Sequence, residues 1–150
     1  MLFIGIDPGK SGAMAIVSNG AEPFTRVVPF GERDYAEVLR FHKEYDTIGG
    51  CIVERVSAMP GQGVSSMFSF GVNYGFIQGL LVAHNIPYEL VMPRTWKKEF
   101  GVTSDKNTSI EVAKRLFPDV PLKRTDRCRK DDDGIAEALL MAAFARRKFQ

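Results

Sequence analysis

The first seventeen residues, MLFIGIDPGKSGAMAIV, constrain this chain more than any other stretch. Leu2, Phe3, Ile4 and Ile6 run straight into Asp7-Pro8-Gly9, and a second apolar run, Ala13 to Val17, follows Gly12. Two apolar runs joined by Gly and Pro predict a β-hairpin. Asp7 is the anomaly in that pattern. A carboxylate at the end of a buried strand is unfavourable unless a cation or hydrogen-bond donors meet it, and a metal ion is the expected partner.

The 150 residues, 45% of them hydrophobic, predict one domain over positions 1–150 with a core of useful size. No basic lead precedes the apolar start, and Asp7 and Lys10 interrupt it, so a signal peptide is not expected and a cytoplasmic location is. Cys51 and Cys128 form no CxxC pair, and His42 and His84 lie far from either in sequence, which argues against zinc. Charge is unevenly spread. Residues 1–93 carry 6 Lys/Arg against 9 Asp/Glu, a net of −3, whereas residues 94–150 carry 14 against 9, a net of +5. The second part suits a polyanion, with ordinary charged helix surfaces as the alternative.

After the hairpin, Phe24 to Phe30 predicts a third antiparallel strand, and Asp34 to Tyr45 a helix with Tyr35, Val38, Leu39 and His42 on one face. His42 reads as a packed border residue. Gly49-Gly50 closes that region. Cys51-Ile52-Val53 then predicts a central strand that delivers Glu54 at its C-terminal end, the edge where open α/β sheets keep their sites. The alternative for Glu54 is an ion pair with Arg55. The turn-rich SAMPGQG leads into a helix over about 64–84, along which Gly71, Gly75 and Gly79 form a stripe. Each glycine costs about 1 kcal/mol relative to Ala, so something is expected to approach the backbone, either the sheet or the same helix of a second subunit. Ser65, Ser66, Ser69, Asn73 and Gln78 exclude a membrane span. His84 reads as a charge partner at the helix end.

Ile86 to Met92 predicts a strand stopped by Pro93, and Thr95 is the expected cap of a short helix carrying Trp96, Lys97 and Lys98. Ser104-Asp105 caps a helix running to about Phe117, with Lys106 in its first turn, where a lysine opposes the helix dipole unless a phosphate sits nearby. The basic LKRTDRCRK segment, 122–130, lacks apolar periodicity and reads as mobile until it meets a partner. Asp131-Asp132-Asp133 opens the last helix, which runs over about 134–148.

Residues four apart share a helix face, so Asp133 and Glu137 point the same way. With Asp7 and Glu54 they make four carboxylates. Asp131 to Asp133 alone would be satisfied as a cap with favourable acids, but Glu137 stands among Ile135, Ala136, Ala138 and Leu139. Clustered acids persist where cations neutralise them, and all-oxygen donors favour Mg²⁺ or Mn²⁺. The matching chemistry is in-line phosphodiester hydrolysis by two metal ions about 3.5–4 Å apart. Lys106 would offset charge on the pentavalent phosphate. Lys10, Arg94, Lys97, Lys98, Lys106, Lys123, Arg124, Arg127, Arg129 and Lys130 are the expected DNA contacts, and binding through them would depend strongly on salt.

These blocks in this order, GIDPGKSGA, IVERV, the glycine-bearing helix, MPRTWKK, TSDKNTSIEVAKRLFP and DDDGIAEALLMAA, cover nearly the whole chain. The sequence resembles the RuvC-type Holliday-junction resolvases of the RNase H-like (retroviral integrase) superfamily, especially their shorter phage-type relatives. The resemblance implies an α/β fold with a five-stranded mixed sheet in order 3-2-1-4-5 flanked by helices. It also implies a homodimer that resolves Holliday junctions and other branched DNA by paired symmetric nicks. It carries the metal role onto Asp7, Glu54 and Glu137 and the phosphate role onto Lys106, with Lys97 or Lys98 as a second basic contact, and it favours the long helix as dimer seam.

Two positions depart from that pattern. Bacterial members resembling this chain carry two Asp three apart on the last helix, whereas Gly134 and Glu137 stand here; Asp133 is the expected fourth ligand, with Asp132 as fallback. The aromatic wedge after the strand-four Glu is replaced by Ser57, Ala58 and Met59, leaving Phe68 or Met59 to open a junction. The alternative function is a non-cleaving junction- or RNA-binding protein of the same fold. An actin-like kinase would need a second lobe, for which 150 residues leave no room.

Overall fold

Alternation along the strands sorts a central sheet into two faces. The structure, a computed structural model, describes residues 1–20 and 24–150. Strands β1 (Leu2–Asp7), β2 (Ala13–Ser18), β3 (Thr25–Pro29), β4 (Ile48–Glu54) and β5 (Tyr88–Val91) form a five-stranded mixed sheet in order β3-β2-β1-β4-β5. The β1–β2 and β2–β3 pairs are antiparallel, whereas β1–β4 and β4–β5 are parallel. Helices α1 (Glu32–Tyr45), α2 (Val64–Ala83), α3 (Pro93–Phe100), α4 (Lys106–Leu116) and α5 (Asp133–Phe149) complete the fold.

On one face Leu2, Ile4 and Ile6 of β1, Met14 and Ile16 of β2, and Cys51 and Val53 of β4 pack with Tyr35, Val38 and Leu39 of α1 and with Ile77 and Leu81 of α2. On the other face Phe3, Ala13, Ala15, Val17 and Ile52 meet Trp96 and α5. Successive strand side chains point to opposite sides. Asp7 therefore shares the α5 side with Phe3 and Gly5, and Glu54 shares it with Ile52. One period-2 rule delivers both carboxylates to the same side of the sheet.

Helix α5 is buried along most of its length, and Ile135, Leu139, Leu140 and Met141 each contribute about 1.5–3 kcal/mol by burial. It lies so close to β1 that a Cβ at Gly5 would overlap backbone atoms of Ala138, Met141 and Ala142. Glycine at position 5 and the alanines of α5 are what permit that approach.

Several local expectations need correcting. Gly49 and Gly50 do not end the α1 region but lie inside β4, where the ring of Phe149 covers Gly50 and the side chains of Met1 and Phe3 cover Gly49. Thr95 does not cap α3; Met92 occupies that position with Pro93 at the first helical turn, a place where the missing proline N–H is not needed. Helix α1 begins earlier than the apolar periodicity suggests, and β5 is shorter. Asp105 caps α4 as expected, accepting from Asn107 N at 3.0 Å. His42 is packed between Phe24 and Phe41. At the C-terminus of α2 Lys43 supplies a cation, donating to the His84 carbonyl. The basic segment is anchored at its start, with Leu122 buried in the α5-side core and its carbonyl accepting from Asp132 N at 2.6 Å.

Candidate active site

The site forms where three elements end together. In the β1–β4 pairing Ile6 faces Val53, so Asp7 and Glu54 emerge from adjacent parallel strands at the same edge of the sheet. Glu54 is also in register with Val91 of β5. Two residues beyond Val91 the chain enters α3, which brings Trp96 and Lys97 back over the same edge. From the opposite wall, the first turns of α5 supply Asp133 and Glu137. Gly9, at φ +106°, and Gly12, whose Cβ would overlap the Asp7 carbonyl, keep the β1–β2 turn folded tightly against Asp7.

Glu54, Glu137, Asp133 and Asp132 each have a cationic or hydrogen-bonding partner. Glu54 accepts from the Trp96 indole N–H at 2.9 Å. Glu137, 8% exposed, lies 3.1 Å from Lys97 Nζ and accepts from Ser109 Oγ at 3.3 Å. Asp133 pairs with Lys106 Nζ at 2.8 Å. Asp132 is engaged elsewhere: it caps α5 by accepting from Ile135 N at 3.0 Å and pairs with Arg124 Nε at 2.8 Å. Its two carboxylate oxygens thus serve the start of α5 and Arg124.

The acids feel one another. Burial pushes the Asp7 carboxyl well above its ordinary value; the charges of Glu137, Glu54 and Asp133 push the same way, and Lys106 partly offsets them. Burial also raises Glu54, with Glu137 adding to the shift and the Trp96 hydrogen bond and Lys97 opposing it. Lys106 is raised by its bond to Asp133. Such mutual destabilisation of like charges is what a cation relieves. The donor set is hard oxygen and suits Mg²⁺ or Mn²⁺. No three His, Cys, Asp or Glu side chains among the described residues stand close enough to grip an ion as they are. Glu137, Asp133 and Glu54 are instead turned toward Lys97, Lys106 and Trp96.

A cleft of about 560 Å³ opens over these groups, lined by Asp7, Asp133 and Glu137 together with Lys10, Lys106 and Arg124. Of the expected DNA contacts, Lys10 and Lys106 are exposed at this cleft, and Lys97 sits beside Glu137. Arg124 is turned inward, bonding the Ser11 and Gly12 carbonyls as well as Asp132, so it ties the β1–β2 turn to the start of α5. Lys123 lines a separate hollow beside β3. Arg94, Lys98, Arg127, Arg129 and Lys130 are exposed and line none of the cleft.

Three contributors escaped sequence reasoning: Trp96 as donor to Glu54, the buried Ser109 as donor to Glu137, and Phe70, whose ring packs on Gly9 and forms one wall of the cleft. Only the spacing of Trp96 from Pro93 carried a signal, because a helix leaving the site edge turns its fourth residue back toward it.

No family profile and no curated protein sequence matches the chain. Solved structures do. RuvC of T. thermophilus in complex with a Holliday junction substrate superposes with a TM-score of 0.65 at 16% identity, over 99% of this chain and 96% of that one. Another Thermus thermophilus RuvC structure gives 0.62 at 20%, over 99% and 98%. The Fowlpox virus resolvase, in complex with Holliday junction DNA, gives 0.54 at 19%, over 96% and 98%. Sheet order, helix placement and near-complete mutual coverage give this chain the RNase H-like fold in the form seen in RuvC and the poxvirus resolvase.

Proposed function

We propose that this protein is a metal-dependent endonuclease that nicks branched DNA, four-way junctions above all, in recombination, repair, replication or packaging. The observation that carries the reading is the meeting of Asp7, Glu54, Asp133 and Glu137 from two strand ends and one helix, beside a cleft open to Lys10 and Lys106. Asp7 and Glu54 are held at the C-terminal sheet edge against the cost of burial and of neighbouring acids, a cost that binding a cation would offset.

Asp7, Glu54, Asp133 and Glu137 would hold two Mg²⁺ or Mn²⁺ ions. The chemistry such ions supply when bound is acidification of the attacking water and neutralisation of the leaving 3′ oxygen. Asp7, which feels the charges of Glu137, Glu54 and Asp133, would be the ligand in common reach of the strand and helix acids. Lys106, with its side chain 74% exposed, is free to leave Asp133 and meet a non-bridging phosphate oxygen. Trp96 fixes the orientation of Glu54, and Ser109 that of Glu137.

A second subunit suits paired symmetric nicks. Helix α2 is apolar around most of its circumference, yet within the protomer it buries only Asn73, Ile77 and Leu81. A Cβ at Gly71, Gly75 or Gly79 would meet nothing within 4 Å among the described residues, so the sheet does not require these glycines. Val64, Phe68, Val72 and Val82 are exposed beside them. The stripe supports close packing against the same helix of a second copy, and Phe68 or Met59, both exposed, would be available to a junction.

The alternative, a non-cleaving junction- or RNA-binding protein, draws on the ion pairs that turn Glu137 and Asp133 toward lysines. Incubation with a synthetic four-way junction and Mg²⁺ separates the two. Nicking by the wild type and none by Asp7→Asn is expected; an intact junction with the wild type would leave the binding reading in its place.

A further inference from the structure

Beyond the acidic cleft, the β1–β2 turn and the first half of α2 enclose a second hollow of about 460 Å³. Lys10, Ser11 and Phe70 line both spaces, so the second continues the first. Its remaining lining is Ser65, Ser66, Ser69 and Asn73. We propose that this groove is a phosphodiester subsite that holds the DNA strand next to the nucleotide being cut, with Asn73, the α2 serines and Lys10 as its donors. The assignment deepens the endonuclease reading and rests on it.

The chemistry is that of an oxyanion site. The lining offers an ammonium, four hydroxyls and a carboxamide, and no carboxylate among the described residues. Asn73 is 5% exposed, and its Nδ2 is buried without a hydrogen-bond partner among the described residues. A buried donor left unpaired is destabilising, so Asn73 in the lining of this groove calls for an acceptor that arrives with a ligand. Helix α2 adds to the pull. Gly63 precedes it without a side-chain cap, and its first turn holds no acid. The first amide N–H groups of the helix thus have no side-chain cap among the described residues, and the positive end of its dipole favours an anion.

Helical geometry keeps this surface apart from the proposed dimer seam. At about 100° per residue, Ser66, Ser69, Asn73 and Ile77 share one face of α2. Val64, Phe68, Gly71, Gly75, Gly79 and Val82 lie on the opposite face. One helix therefore presents a polar, donor-rich edge to the cleft and an apolar, small-residue edge away from it.

The test is equilibrium binding of a fluorescent four-way junction in Ca²⁺, without cleavage, across a salt series. Asn73→Asp should weaken binding at least about tenfold. The introduced negative charge offsets one cationic phosphate contact, so the log–log salt slope should also become shallower, by up to about 0.7–0.9. Ser69→Glu, at a partly exposed position that folding tolerates, should do the same if Asn73→Asp fails to fold. Mn²⁺ binding measured by calorimetry should match wild type in both. Folded variants with wild-type affinity and slope would overturn the subsite, as would a variant that loses inorganic phosphate binding but keeps its junction affinity. A wild type that binds the junction without nicking it would remove the endonuclease reading while leaving this comparison intact; one that binds no DNA would remove both.

Discussion

Lys97 Nζ lies 3.1 Å from Glu137 Oε1, a lysine from the α3 helix standing at the carboxylate of α5 where a divalent ion would otherwise be needed. Lys106 stands in the same relation to Asp133. The protein therefore carries its own counter-charges in the absence of metal, and any incoming cation competes with them. Lys97→Met should tighten Mn²⁺ binding to the DNA-free protein up to about fivefold, the equivalent of about 1 kcal/mol for a partly exposed pair. Calorimetry of the two proteins at one pH checks it; weaker binding in the variant would mean that Lys97 organises the acids rather than competing for them.

The raised Asp7 and Glu54 carboxyls set a pH dependence with a definite sign. Between the ordinary carboxylate value and the raised one, the folded protein binds more protons than the unfolded chain, so stability of the metal-free protein falls as pH rises through that window. Asp7→Asn removes the larger part of this effect. It should abolish nicking and yet raise the Tm of the metal-free protein at pH 7, with the difference shrinking as pH drops below the ordinary carboxylate range. Metal affinity should rise with pH over the same window, since the bound ion displaces the protons.

Lys106 provides a kinetic test. If its ammonium leaves Asp133 to meet the phosphate in the transition state, Lys106→Ala should lower the single-turnover nicking rate about 10²–10³-fold, the usual loss for one electrostatic stabiliser. Junction affinity should change far less. Equal losses in rate and affinity would make Lys106 a plain phosphate anchor.

Two glycines should respond in opposite ways. Gly75 faces open space, so Gly75→Leu should leave the protomer folded and yield monomers by light scattering if α2 is the dimer seam. Gly5 is covered by the backbone of α5, so Gly5→Ala should destabilise the fold by about 3 kcal/mol or more, measured by denaturant unfolding.

The legible parts of the fold were those with a strong local period. The apolar runs of β1, β2 and β4 carried those strands and the positions of Asp7 and Glu54 at two of their ends, whereas the sheet order came only with the family resemblance. Gly49 and Gly50 misled because their role is tertiary: they accommodate Met1, Phe3 and Phe149, none of which is near in sequence. Asp132 and Asp133 are chemically alike and adjacent, and only the helix start distinguishes a cap from a side chain facing Lys106. Arg124 was indistinguishable from the other basic residues of its segment. Its inward turn depends on carbonyls of Ser11 and Gly12 more than a hundred positions away.

The close seating of α5 on Gly5 has a consequence for how the acids keep their separation. Where helix and strand meet main chain to main chain, the gap between Asp7 and Glu137 is gauged by the thickness of two polypeptide backbones. Side-chain volumes elsewhere in the core can be exchanged, and the layers can repack, without resetting that gauge. The jaws of the site are hinged on a residue that has no side chain to vary.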